Sequence, residues 1–139
     1  MRRTIEAMLV GALALDVAYW SIWFTSRDTL ASEHRSAYYE FENAFPLADA
    51  WIGVACLLAL VTLRQRRPSA HFWLVCSGAA ALYLFGMDFL YDVEHGIFTS
   101  GGGGVIEACI VAITLLFSLT LLRYAWTRRD ELLAGQPAS

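Results

Sequence analysis

The chain contains no lysine: its ten basic residues are all arginine, and only 17% of its residues carry a charge. Against thirteen acids this leaves a formal net charge of −3, so the positive excess that a nucleic-acid partner demands is missing. Cysteine is scarce and odd in number. Cys56, Cys76 and Cys109 form no CxxC pair and each falls in an apolar run, which favours small buried hydrophobes over redox chemistry. His71 and His95 would stand ~36 Å apart along one helix at ~1.5 Å per residue, and His34 lies in a loop, so no pair can ligate a haem iron. The run "TSGGGG" lacks the lysine that a phosphate-binding loop places after its glycines, and reads as a flexible connector. No cofactor is expected from this inventory.

What is present is apolar. At 58% hydrophobic and a mean hydropathy of +0.49, the 139 residues exceed the ~45–50% apolar share of soluble domains. Four stretches, about 5–25, 45–63, 71–90 and 105–126, are long enough for a hydrocarbon core of ~30 Å, which needs ~20 helical residues. They use most of the chain and predict a single all-α domain over 1–139, a polytopic, antiparallel four-helix transmembrane bundle. The first stretch has a basic start and an Ala12-Leu13-Ala14 run, but hydrophobicity continues to Phe24, so a retained anchor is expected rather than a cleaved signal.

The arginines set the expected orientation, because basic residues beside helix ends stay in the cytoplasm. Arg2 and Arg3, then Arg64, Arg66 and Arg67, then Arg123, Arg128 and Arg129 all fall on one side of the four crossings; only Arg27 and Arg35 fall on the other. Both termini are therefore expected inside, in the membrane of a bacterial cell. Ten of the thirteen acids then lie toward the outside, with Glu6, Asp130 and Glu131 the exceptions. In the first outer loop a short interfacial helix is expected around Tyr38, Tyr39 and Phe41, Pro46 suits the first turn of the second span, and Gly96 suits the end of the third.

Each span carries one acid: Asp16, Asp49, Asp88 and Glu107. An ionisable group at the bilayer centre costs at least ~2.5–3.5 kcal/mol, so it should face the bundle interior, a partner or water. Asp16 lies ~13 Å below the outer end of its helix at ~1.5 Å per residue. It shares a face with Tyr19, Trp20 and Trp23, which places an acid among aromatic rings. Asp49 aligns with Gly53, whose missing side chain leaves room for close approach. Asp88, Tyr91, Asp92 and His95 follow i, i+3, i+4 and i+7 spacing at the end of the third helix. That spacing offers Asp88, Asp92 and His95 as metal ligands, although it also arises wherever a helix surfaces, and ordinary solvated acids are the first reading.

Acids on four antiparallel helices, with Asp16, Asp49 and Glu107 in the outer half, resemble the EXPERA group of sterol isomerases and the sigma-2 receptor. The cluster from Asp88 to His95 departs from that plan, so isomerase activity is not carried over. "LDVAYWSIWF" followed by "FENAFPLADAWIGVACLLAL" is similar to small bacterial four-helix membrane proteins that have no assigned activity.

The sequence thus predicts an acidic, aromatic-lined cavity open to the outside that binds a small molecule or a cation, with a proton-coupled, oligomeric transporter as one form of it. Asp16, Tyr19, Trp20, Asp49, Asp88 and Glu107 would bind the ligand, and Glu42, Tyr91, Asp92 and His95 would form the outer rim. No residue is assigned a catalytic role. The alternatives are a lipid or sterol isomerase that uses the same carboxylates to move protons, and an accessory subunit of a larger membrane complex.

Overall fold

The computed structural model describes residues 1–26, 36–99 and 101–135; Arg27, His34 and Arg35, used above in reading topology and histidines, lie outside them. The chain folds as α1 (Arg2–Ser26), α2 (Ser36–Glu42), α3 (Pro46–Arg64), α4 (Ser69–His95), a 3-10 turn over Ile97–Thr99, α5 (Gly102–Thr127) and α6 (Arg129–Ala134). No strand occurs among the described residues. Four helical segments, Arg2–Ser26, Tyr38–Arg64, Ser69–His95 and Gly102–Thr127, are long and apolar enough to cross a membrane. Large apolar side chains such as Val17, Leu47, Val105 and Leu116 point outward along them, a surface suited to hydrocarbon rather than to water.

Local chemistry explains the helix ends. Pro46 occupies the first turn of α3, where its missing N–H interrupts no helical bond. Gly96 ends α4 with φ +66° and its N–H turned back to Asp92 and Val93, the left-handed cap that a residue without Cβ adopts at least cost. The glycine run behaves differently from the sequence expectation. Instead of a flexible connector, Gly102–Gly104 open α5, and Gly104 is buried where an added Cβ would overlap the Ile97 carbonyl oxygen. The short helix α6, at the end of the chain, was not foreseen.

The core joins α1, α3, α4 and α5 through Ile5, Leu9, Cys56, Ala59, Leu60, Leu63, Ala70, Leu74, Leu121, Tyr124 and Ala125. Small residues in this set bring helix backbones close, the usual route to tight packing where lipid removes the hydrophobic drive between helices. Contacts at both ends tie α1 to α3. At one end Glu6 pairs with Arg2 at 2.9 Å and Arg64 at 3.6 Å; at the other, Trp20 meets Asp49. The charged residues therefore divide between an arginine end and an acid end, and the acid end collects the candidate site.

Candidate functional site

Aromatic rings from α1, α2 and α4 build the walls of the acid end. Helical spacing puts Tyr19, Trp20 and Trp23 on one face of α1, with Tyr19 edge-on to Trp20 at 5.2 Å and stacked with Trp23 at 6.2 Å. The helix α2 lays Tyr38 and Tyr39 against Trp23 at 6.4 and 6.0 Å. From the same helix, Phe41 stacks on Tyr91 at 3.9 Å, and Tyr91 stacks on His95 at 4.0 Å. This three-ring column fastens α2 to the last two turns of α4. Tyr38 and Phe41, expected only as membrane anchors, thus become part of the wall.

The carboxylates sit among these rings. Tyr19 donates its hydroxyl to Glu42 Oε2 at 3.1 Å, and Trp20 Nε1 donates to Asp49 Oδ2 at 3.0 Å. Trp23 Nε1 donates to Asn43 Oδ1 at 3.2 Å, a partner that the sequence reading missed. Its signal was available, since Asn43 is the only asparagine in the chain and stands beside the aromatic run of α2. Asp16 lies deeper, its Oδ2 only 2.7 Å from where a Cβ on Gly53 would stand. The room left by Gly53 is thus taken by a carboxylate of the neighbouring helix.

The structure draws most of the expected acids together. Asp88 interacts electrostatically with Glu42, Asp49, Asp92 and Glu107, and Asp49 with Asp16. Glu107 also acts on Glu42 and Asp92. Glu42, placed on the rim by the sequence, is in the middle of this group. Asp92 requires a correction: it was expected at the outer gate or surface, yet it is only 4% exposed. Its burial follows from α4 continuing as helix beyond the apolar run, with α2 and α5 packed beside it.

Two oxygens in this cluster are buried without a hydrogen-bond partner among the described residues, Asp49 Oδ1 and Asp92 Oδ2. Buried carboxylate oxygens normally find donors, and leaving one without costs ~1–3 kcal/mol or more. Among the described residues, the basic group that acts on Asp92 is His95. His95 itself directs Nδ1 to the Tyr91 carbonyl at 2.8 Å; because a carbonyl only accepts, Nδ1 carries the proton. No group of three or more His, Cys, Asp or Glu side chains among the described residues is placed to hold a metal ion, so Asp88, Asp92 and His95 are not assembled as ligands. Two cavities lie at the arginine end, and neither is lined by Asp16, Glu42, Asp49, Asp88, Asp92 or Glu107.

Chemically, the acid end can attract and neutralise positive charge, with ring faces available to a cation once its water is removed. No protein-family model, no curated protein and no solved structure matches the chain.

Proposed function

We propose that this chain is an integral protein of a bacterial cytoplasmic membrane, an antiparallel four-helix bundle with both termini in the cytoplasm, whose outward acid end binds a small organic cation. The observation that carries the reading is the convergence of Glu42, Asp49, Asp88, Asp92 and Glu107 with two buried carboxylate oxygens that have no hydrogen-bond partner among the described residues. Carboxylates brought together away from water need compensating positive charge or protons. A compact organic cation supplies the charge and also gains from the Tyr19 and Trp20 rings. Exchange of that cation for protons at the same carboxylates would make the protein a proton-coupled transporter.

The isomerase alternative needs an apolar cavity leading past Asp16, a place where Asp16 instead packs on Gly53. Close ring packing around the acids favours a second reading, an accessory subunit whose acid end meets a partner; that reading predicts recovery with a larger complex after mild solubilisation.

The test is titration of the purified protein in nanodiscs with tetramethylammonium, followed by calorimetry and tryptophan emission. Saturable binding is expected, and Asp88→Asn or Asp49→Asn should weaken it roughly tenfold, the equivalent of ~1.4 kcal/mol. Arg123→Gln, at the other end, should leave it unchanged. Absence of saturable binding by the unaltered protein would overturn the reading.

A further inference from the structure

The acid end specifies more of its ligand than a positive charge, a step that rests on the cation reading above. Asp92 is only 4% exposed, and its Oδ2 has no hydrogen-bond partner among the described residues; the same holds for the buried Asp49 Oδ1. A buried acceptor of this kind is satisfied by a donor, and an N–H carried by a cation makes the strong form of that bond. A cation without N–H groups would balance the charge and still leave both oxygens unbonded.

The placement of the two oxygens adds a second requirement. Asp49 stands in the first turn of α3 and Asp92 in the last turn of α4. Each interacts with Asp88, but among the described residues neither acts on the other. Asp49 lies on the Asp16 side of the cluster, and Asp92 on the side of Glu107 and His95. A single ammonium nitrogen reaches oxygens ~2.9 Å away, so one amine serves one of the two.

A divalent metal ion would gather its charge at a single point, yet no group of three or more His, Cys, Asp or Glu side chains among the described residues is placed to hold one. The charge the cluster calls for is therefore spread along a length. Ring pairs at 3.9 to 6.4 Å wall this end, and such close walls favour an unbranched chain over a bulky group. Methylenes of that chain would lie against the Tyr19 and Trp20 rings.

We infer that the ligand of the acid end is a linear diammonium ion, one protonated amine donating to Asp92 and the other to Asp49, with the charge of Asp88 between them.

Calorimetric titration of the full chain in nanodiscs of phosphatidylcholine, which bears no net charge, compares three probes. They are diaminobutane with an amine at each end, butylamine, and tetramethylammonium, which has the charge but no N–H. Diaminobutane should bind at least about tenfold more tightly than butylamine, the ratio that one added charge-assisted hydrogen bond supplies, and tetramethylammonium should bind most weakly. Asp92→Asn should lower diaminobutane affinity more than butylamine affinity, so that the ratio falls toward unity. The comparison of probes on the unaltered protein stands even if that variant fails to fold. Equal binding of diaminobutane and butylamine, or a ratio that Asp92→Asn leaves unchanged, overturns the diammonium assignment while saturable tetramethylammonium binding keeps the cation reading. No saturable binding of any probe overturns both.

Discussion

At the scale of single residues, the acid end is organised by which donor reaches which carboxylate. Trp20 spends its side-chain N–H on Asp49, whose other oxygen has no partner among the described residues. Trp20→Phe keeps most of the ring but leaves Asp49 without that donor, and should cost ~1–3 kcal/mol, read as a lower unfolding temperature in detergent. Gly53→Val should cost a comparable ~1–3 kcal/mol by forcing the Asp16 carboxylate away. Combining it with Asp16→Ala should recover much of that loss, because the two positions are in contact. The sequence placed Asp16 and Trp20 on one face of α1 and gave the indole no hydrogen-bond partner, which the fold supplies as Asp49. A helical face fixes neighbours along one helix; it does not say which carboxylate the next helix brings opposite.

At the scale of elements, α2 is the piece that closes the acid end, and the Phe41–Tyr91–His95 column is its fastening. Phe41→Ala removes its ring from the column and from the edge contact with Phe45, each pair worth ~0.5–1.5 kcal/mol beyond its buried area. Amide exchange should accelerate over Ser36–Glu42 while α3 beyond its first turn stays protected; equal acceleration along α3 would show that α2 is not a separable flap. Element ends set by local chemistry were legible, with Pro46 and Gly96 as the examples. The glycines at the start of α5 were not. Gly104 is required by the Ile97 carbonyl folded against it, a contact that exists only after the 3-10 turn has formed, so composition alone pointed to a loose linker. The burial of Asp92 escaped for the same reason: it depends on other elements packing beside α4.

At the scale of the molecule, the four apolar helices were legible because a ~30 Å core imposes its length on any spanning helix. Their true ends ran past the apolar runs, as in α4, which continues through Asp92 to His95. The proposed topology is tested by fusing reporters to the C-terminus in a bacterial host: a green fluorescent protein fusion should fluoresce and an alkaline phosphatase fusion should stay inactive. The reverse pattern would invert the bundle. The division of the chain into an arginine end and an acid end makes the folded molecule a standing electric dipole. In an energised membrane, negative inside, each elementary charge moved across the full thickness changes the energy by about 2.3 kcal/mol per 100 mV. The proposed orientation lies with that field. Because Asp16 stands well below Glu42 and Asp92, a proton or cation that descends from those acids to Asp16 crosses part of the voltage drop. Occupancy of the deep carboxylate should therefore follow the membrane potential, while occupancy of the shallow ones should not.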